Sequence, residues 1–262
     1  MPQLGFVGVG AMSAAMVDAL CTGPHANEVQ IVLSPRSADR SATLASRYSQ
    51  VSVAESNQAV LDASDIVFLG VLPPQAADVC AELTFRSDHI VASLIAGLPP
   101  TAVRELVGNV AKTCQMIPLP VIALHTGPIV MSPQIPEVAV LFEGSGQIVA
   151  LEDESKIRIL SCTSAAMSTF FEYQKTVINW TVKAGLPLET ARDYATALFA
   201  GLATEARHAP LDELDHMPAE HETPGGLNEY IRKSMVDSGA FEVLEKAFDY
   251  LYFHKNLAKA DD

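Results

Sequence analysis

The sequence is poor in two kinds of residue whose abundance would decide its class. It has only four cysteines, Cys21, Cys80, Cys114 and Cys162, which are widely spaced and mostly set among apolar residues. This spacing argues against a disulfide framework or a zinc site and predicts buried thiols. Basic residues are also scarce, since 17 Lys and Arg stand against 31 Asp and Glu and give a net charge of -14. That charge opposes binding to nucleic acid or to an anionic membrane.

Long hydrophobic runs are also missing. No apolar segment reaches the length of a membrane span. The apolar run near the N-terminus lacks a basic leader and is predicted to be a strand, so we expect no signal peptide and a cytoplasmic protein.

The length and the hydrophobic content predict two folded domains. At 262 residues the chain exceeds one typical domain, and its 49% of hydrophobic residues suffices for a sizeable core. We expect the boundary near residue 150, which gives domains of residues 1–150 and 151–262.

A glycine turn between a strand and a helix organises the first domain. An almost unbroken apolar run over residues 4–9 is typical of a central parallel strand buried on both faces. Gly8 and Gly10 interrupt it, and good helix formers follow over Ala11–Leu20. This order predicts a dinucleotide-binding unit in which backbone amides approach a pyrophosphate at the helix N-terminus. Ser13 replaces the third glycine of G-x-G-x-x-G, which weakens the match without removing it.

Positive charge is concentrated after the second predicted strand, Val29–Leu33. An NAD-binding fold carries Asp or Glu there to bind the ribose 2′-hydroxyl, whereas this chain has S-P-R-S-A-D-R at residues 34–40. The hydroxyls of Ser34 and Ser37 and the guanidinium of Arg36 suit the 2′-phosphate of NADP(H). The alternative is a solvated helix start that Ser37 caps.

Strands and helices alternate through the rest of the first domain. The further predicted strands are Val51–Val53, Asp65–Val71, His89–Ile95, Cys114–Ile117 and Gly127–Met131, and the helices between them are Ala54–Leu61, Gln75–Leu83 and Thr101–Val107. This spacing predicts an α/β fold with a parallel, doubly wound sheet of the Rossmann type, whose ligands lie outside the carboxyl ends of the strands. The candidate cofactor-binding residues are Gly8, Gly10, Ala11, Met12, Ser34, Arg36, Ser37, Asn57, Val71, Pro73, Ala96, Gly97 and Pro118.

The second domain is predicted to be all helical. Its predicted helices are Asp153–Cys162, Ser164–Lys183, Leu188–Ala206 and Asn228–Leu257. In the last of these, Leu244, Phe248, Leu251 and Tyr252 fall on one face at helical spacing. Such apolar stripes leave too little partner surface within one chain, so we expect a homodimer through the C-terminal helices. A self-contained bundle is the alternative.

Six segments carry a family resemblance. They read G-F-V-G-V-G-A-M at 5–12, S-D-I-V-F-L-G-V-L-P-P at 64–74, S-L-I-A-G-L at 93–98, M-I-P-L-P at 116–120, V-K-A-G-L-P at 182–187 and T-P-G-G at 223–226. In this order they resemble the motifs of the pyrroline-5-carboxylate reductase family, which makes proline by hydride transfer from NADPH to a cyclic imine. The resemblance implies NADP(H) as cofactor and a small cyclic imino acid as substrate.

The departures from the family fall in its substrate motifs. Ser164 and the three residues after it align with the family's G-S-G-P turn, and Ile117 and Leu119 replace the Asn and Thr of M-P-N-T-P. Leu227 and Asn228 replace two threonines after P-G-G. We therefore expect a family member whose substrate differs from pyrroline-5-carboxylate.

The same resemblance supplies the candidate catalytic residues, which are Thr163, Ser164, Gly225, Gly226 and Asn228. Thr163 and Ser164 are expected to begin a helix and to receive the substrate carboxylate. Gly225, Gly226 and Asn228 are expected to close the pocket from a partner chain. The alternative is that Ser164 only caps a helix and the glycines only form a turn.

Two other functions remain open beside an NADPH-dependent imine reductase. Lys175 and Asn179 are similar to the Lys and Asn pair of β-hydroxyacid dehydrogenases and would make the protein a ketone reductase. The glycines that precede that Lys are absent, so an ordinary polar helix face is favoured. A catalytically silent NADP-binding protein is the other alternative, because the substrate motifs are altered.

The remaining polar and aromatic candidates are interpreted as structural. His208, His216 and His221 match no common metal motif in their spacing, so we expect a solvated loop and no metal. Trp180, the only tryptophan, lies in an apolar helix and is predicted to be core.

Overall fold

The computed structural model describes residues 2–254, in which one mixed sheet is followed by helices. The strands are β1 (Gln3–Val7), β2 (Gln30–Leu33), β3 (Val51–Val53), β4 (Ile66–Leu69), β5 (Ile90–Ser93), β6 (Lys112–Pro118), β7 (Pro128–Ser132) and β8 (Gln147–Ala150). The helices are α1 (Ala11–Thr22), α2 (Ala38–Arg47), α3 (Asn57–Asp62), α4 (Ala76–Ala81), α5 (Pro100–Val107), α6 (Pro136–Ala139), α7 (Ile157–Thr163), α8 (Met167–Lys183), α9 (Leu188–His208), α10 (Met217–Glu220), α11 (Leu227–Asp237) and α12 (Ala240–Phe253).

The strand order is β3-β2-β1-β4-β5-β6-β7-β8, and β1 to β6 are parallel. The doubly wound sheet is therefore confirmed, with its order reversing between β1 and β4, where such folds bind ligands. The expectation of a wholly parallel sheet is wrong at β7, which runs antiparallel to β6. Residues 119–127 are too few for a parallel crossover. The short edge strand β8, which is exposed at both ends, was not predicted.

The core lies on both faces of this sheet. Phe6 on β1 stands opposite Phe68 on β4, and their rings stack with centroids 4.6 Å apart. One face packs against α1, α2 and α6, and the other against α3, α4 and α5. All four cysteines are buried and free, as predicted.

The chain divides into two compact units, one ending at Ser161 and one beginning at Cys162. The last strand ends at Ala150, and α7 runs across the division. In residues 2–254 we find no helix that is long and apolar enough to cross a membrane.

The second unit is helical, as predicted, but two details differ. The helix predicted over Asn228–Leu257 is two helices, because Gly239 adopts φ 73° between α11 and α12. Leu257 lies outside the described residues. The apolar face of α12 is confirmed, since Leu244, Phe248, Leu251 and Tyr252 are all partly buried. Trp180 is 68% exposed in the chain, so its prediction as core is wrong.

Candidate cofactor and substrate sites

Gly8 forms the tight part of the first turn. Its φ of 90° lies in the left-handed region, and a Cβ there would be 2.7 Å from the carbonyl oxygen of Gly70. Only glycine satisfies both conditions. Ser13, which replaces the third glycine of the motif, is buried and donates its hydroxyl hydrogen to the Gly8 carbonyl at 2.7 Å. The serine therefore stabilises the turn.

Gly10 leaves open space at the start of α1. It is the N-cap of that helix, no side chain caps the first turn, and no acidic residue lies in that turn. A Cβ on Gly10 would meet only the Gly70 carbonyl, at 4.0 Å. The first turn also contains Ala11 and Met12, which are exposed and partly exposed. This helix N-terminus therefore offers its amides and partial positive charge to an anion.

Ser34 lies beside the same turn, but it is fully buried. Its hydroxyl oxygen accepts a hydrogen bond from the Gly8 amide at 2.9 Å, and its carbonyl accepts one from the Ser41 hydroxyl at 2.9 Å. The expected direct contact between this hydroxyl and a 2′-phosphate does not fit this placement. Ser34 instead holds the glycine turn against the end of β2.

Two arginines follow Ser34 on the exposed side of the turn. Arg36 donates to the Oε1 atom of Gln75 at 3.3 Å, and Arg40 donates to the carbonyl of Val9 at 2.9 Å. Among the residues that the structure describes, neither has an ion-pair partner within 4.0 Å. Arg40 ends the S-P-R-S-A-D-R segment that predicts a 2′-phosphate site, although it was not among the candidate residues.

Ser37 is the N-cap of α2, but its side chain makes no capping hydrogen bond. The capping alternative is therefore not what the structure shows. Ser37 is partly buried and stands between Arg36 and Arg40 in the sequence, so it belongs to the same positively charged segment.

The other predicted cofactor residues follow the carboxyl ends of parallel strands. Asn57 begins α3 after β3, Val71 and Pro73 follow β4, Ala96 and Gly97 follow β5, and Pro118 ends β6. Gln115 on β6 was not among the predicted residues; it is buried and donates its side-chain amide to the Ile95 carbonyl at 3.0 Å. This bond steadies the turn that contains Ala96 and Gly97.

The predicted helix start at Thr163 and Ser164 is wrong. Thr163 has φ -58° and ψ -37° and ends α7, and Ser164 begins a 3-10 turn that leads directly into α8. The backbone is therefore helical across this position, and it does not open a new helix whose free amides could receive a carboxylate. A role for the two hydroxyls stays a prediction.

The Pro-Gly-Gly turn precedes α11 in the second unit. Gly225 has φ 73°, and Gly226 is the N-cap, where a Cβ would lie 2.7 Å from the Thr223 carbonyl. Asn228 donates its side-chain amide to the His221 carbonyl at 2.7 Å. The Gly225 amide donates to the carboxylate of Glu229, whose pKa is lowered first by Lys233 and then by this amide.

The residues of the alternative functions are placed as follows. Lys175 is exposed and paired with Glu172, which is the polar helix face that the sequence favours. The structure groups no three His, Cys, Asp or Glu side chains as a metal site anywhere in residues 2–254.

Comparison with known sequences gives a family profile and several full-length relatives. The profile of the family described as NADP oxidoreductase coenzyme F420-dependent matches residues 3–97. Pyrroline-5-carboxylate reductase of Corynebacterium melassecola is 24% identical over 251 residues, which are 91% of this chain and 92% of that protein. Pyrroline-5-carboxylate reductase 2 of Bacillus subtilis strain 168 is also 24% identical, over 91% of this chain and 88% of that protein.

Solved structures show the same fold. The pyrroline carboxylate reductase of Plasmodium falciparum, solved with NADP bound, has a TM-score of 0.82 at 17% identity and covers 99% of this chain and 98% of its own. An imine reductase of Aspergillus terreus has a TM-score of 0.51 at 17% identity, over 92% of this chain and 94% of its own. The sequence relatives therefore confirm the resemblance to the pyrroline-5-carboxylate reductase family over most of the chain, and the solved structures show that the fold is shared.

Proposed function

We propose that this chain is an NADPH-dependent oxidoreductase that reduces the C=N bond of a small cyclic imine. The observation that carries the proposal is the positively charged edge of the first unit. There, the uncapped N-terminus of α1 lies next to a turn flanked by Arg36 and Arg40, neither of which has an ion-pair partner among the described residues.

The residues at this edge fit a phosphorylated dinucleotide. The amides of Ala11 and Met12 would receive the pyrophosphate, and the space beside Gly10 would admit it. Arg36 and Arg40 would hold a 2′-phosphate, since guanidinium groups form strong, often bidentate bonds to phosphate. The pyrroline carboxylate reductase of Plasmodium falciparum, which was solved with NADP bound, supports NADP as the ligand.

When bound, NADPH supplies a hydride, and the chain's own task is to position the substrate. An imine is most reactive as its iminium, and a small imine can take that proton from solvent or from a nearby hydroxyl. The hydroxyls of Thr163 and Ser164 are the candidates in this chain. No strongly acidic dyad is therefore required.

The substrate proposal allows for a molecule other than pyrroline-5-carboxylate. Ile117 is partly buried near the end of β6, and Leu119 directly follows that strand, within the segment where the family resemblance expects Asn and Thr. Aliphatic side chains bind apolar surface and leave polar substrate groups unpaired. We therefore propose a cyclic imine with more apolar surface than pyrroline-5-carboxylate.

We also propose that the active form is a homodimer. The second unit exposes most of its large apolar side chains and buries only Cys162, Ala191 and Ala195 among the residues that the structure describes. A partner chain that covers these helices would supply the missing core.

The test is NADPH oxidation by the purified protein against a panel of cyclic imines, with and without a carboxylate, and of small ketoacids, with NADH in parallel. We expect turnover of a cyclic imine with NADPH preferred. Binding of NADPH without turnover of any imine or ketoacid would show a silent binding protein and overturn the proposal. Turnover of ketoacids alone would instead support the Lys175 alternative.

A matched pair of variants tests the cofactor assignment. Arg36→Gln and Arg40→Gln should each raise the KM for NADPH by about ten-fold or more, because each loses a charge-assisted bond to phosphate, and should change the KM for NADH little. Arg47→Gln is the control, since Arg47 pairs with Asp18. Equal losses with both cofactors would remove the two arginines from the 2′-phosphate site.

A further inference from the structure

The side chain of His221 links two helices of the second unit to the Pro-Gly-Gly turn. It follows α10 and directly precedes the segment that leads into the turn. Its Nδ1 atom lies 2.8 Å from the Met217 carbonyl, and its Nε2 atom lies 3.2 Å from a carboxylate oxygen of Glu205 on α9. Its own carbonyl accepts the side-chain amide of Asn228 at 2.7 Å.

The partners of the ring decide its protonation state. A carbonyl and a carboxylate only accept hydrogen bonds, so both ring nitrogens must carry hydrogen for both contacts to form. The bonded form is therefore the imidazolium. A neutral ring that keeps its bond to Met217 would turn an unprotonated Nε2 towards the Glu205 carboxylate and lose that contact.

The charges around the ring support this assignment. Glu205 faces it from α9, and Glu220 lies next to it on α10. The hydrogen bond to the Met217 carbonyl raises the pKa of His221 most, followed by the hydrogen bond and the charge of Glu205. On α11, Asn228 binds the backbone carbonyl of His221, and the charge of Arg232 is already paired with Glu222.

The contacts of His221 therefore connect the protonation of its ring to the position of the Pro-Gly-Gly turn. The ring fixes the backbone of His221 to α9, and the carbonyl of that backbone fixes Asn228 in the first turn of α11. Arg232 and Glu222 form a second link between α11 and the same segment. Releasing Glu205 leaves that segment tied only to α10 and α11.

We propose that His221 is a positioning residue: as an imidazolium paired with Glu205, it holds Asn228 and the Pro-Gly-Gly turn in their working positions, and its deprotonation loosens them. This inference rests on the proposed function, because the turn is a substrate site only if the chain reduces an imine. The pair is partly exposed, with 38% and 54% of the two side chains accessible, so its effect is modest.

The kinetic test compares the wild type with His221→Gln across the neutral pH range. We expect the KM for the imine to be roughly two- to five-fold higher in the variant at acidic pH and the two values to converge as pH rises and the wild-type ring loses its proton. The kcat values should differ less. The ratio between the two proteins cancels the titration of the imine itself.

Two further variants sharpen the test. Glu205→Gln keeps a hydrogen-bond acceptor but removes the charge that favours the imidazolium. The KM of this variant should therefore rise towards that of His221→Gln at a lower pH than the wild-type KM does. His216→Gln is the control, because no hydrogen bond or ion pair joins its ring to the turn. A KM ratio that does not change with pH, or a His216→Gln effect equal to that of His221→Gln, would overturn the positioning role.

An NMR titration separates this inference from the proposed function. In protein labelled at histidine and glycine, the His221 ring should titrate with a pKa above the ordinary value for histidine, and the Gly225 and Gly226 amide signals should move with it. Glycine signals that ignore this titration would overturn the inference even if imine turnover is found. Coupled signals without imine turnover would instead overturn the proposed function and the catalytic part of the inference, leaving only the structural link.

Discussion

At the scale of single residues, Gly8 and Gly10 have different reasons to be glycine. Gly8 is required by the fold, since its φ is positive and the Gly70 carbonyl leaves no room for a Cβ. Gly10 has an ordinary φ of -75° and open space in front of it, so the chain alone would accept alanine there. Packing within the chain therefore does not explain the glycine at this position, whereas the proposed pyrophosphate site would.

This difference gives a paired prediction. Gly8→Ala should lower the free energy of unfolding by about 2 kcal/mol or more, through left-handed strain and the contact with Gly70. Gly10→Ala should leave the unfolding of the free protein almost unchanged and weaken NADPH binding strongly, because the new methyl group occupies the pyrophosphate's place. Thermal melts without cofactor and NADPH titrations measure the two effects. A Gly10→Ala variant that binds NADPH as well as wild type would show that no dinucleotide approaches this turn.

His89 gives a residue-scale prediction about pH. The side chain is fully buried, its Nδ1 atom accepts the Arg86 amide at 3.0 Å, and its Nε2 atom donates to the Leu61 carbonyl. A second ring proton would lie on Nδ1 and would face the Arg86 amide, which is itself a donor. Burial of the side chain, followed by the charge of Arg86, lowers the pKa of His89 below its usual 6.5. The unfolded chain therefore binds more protons than the folded one just below pH 6.5, so stability falls as pH drops.

The measurement is urea unfolding of wild type and His89→Gln at several pH values. The variant keeps one donor and one acceptor without titrating, so the stability difference between the two proteins should change between pH 6.5 and the folded pKa. The exposed carboxylates with lowered pKa, such as Glu137, lose their contribution only below about pH 4.5. A constant stability difference through the window below pH 6.5 would contradict the neutral state of His89.

Residue types predicted positive charge after β2, but they did not predict the contacts that these side chains make. The S-P-R-S-A-D-R segment indicates a phosphate site from residue types alone, and this stays a prediction, with Arg36 in contact with Gln75. The same types could not reveal that Ser34 points inward to the Gly8 amide, because orientation depends on the packing of β1 against β2. The pairing of Arg40 with the Val9 carbonyl is likewise a tertiary contact that no local pattern encodes.

At the scale of elements, the break between α11 and α12 rests on one residue. Gly239 has φ 73°, and nothing lies within 4 Å of the place where its Cβ would be, so an alanine there meets backbone strain and no clash. We expect Gly239→Ala to lower the free energy of unfolding by about 1 kcal/mol, and Gly239→Asn by less, because asparagine tolerates the left-handed region better. Urea unfolding decides this, and equal effects of the two variants would mean that the α11–α12 junction does not need a positive φ.

The errors at this scale share a physical cause. Hydrophobic periodicity predicted the buried strands and the face of α12, but it continued through Gly239, where a single left-handed residue ends one helix and starts another. The antiparallel β7 and the edge strand β8 were mispredicted because direction and pairing depend on loop length and on neighbouring strands. Local sequence carries little of that information.

At the scale of the whole molecule, the two units differ in how they bury apolar surface. In the first unit the sheet is covered on both faces by its own helices. In the second, Tyr194, Leu198 and Leu202 form an exposed stripe at four-residue spacing along α9, whereas Ala191 and Ala195 are buried. Trp180 is exposed in the same unit. The sequence predicted apolar helices correctly, but it could not show whether their own chain would cover them.

The stripe on α9 yields the prediction for the assembly. If a second copy covers these helices, light scattering should give about twice the 28.0 kDa of one chain, and Leu198→Glu combined with Leu202→Glu should shift the protein towards monomer because buried carboxylates lack partners there. Leu124→Glu is the matched control, since Leu124 is 76% exposed in the first unit and should not affect the mass. A wild type that stays monomeric at micromolar concentration would contradict the dimer. Because Asn228 and the Pro-Gly-Gly turn are expected to close the pocket of a partner chain, the monomeric variant should also lose imine reduction. It should retain NADPH binding, since the proposed cofactor site lies in the first unit.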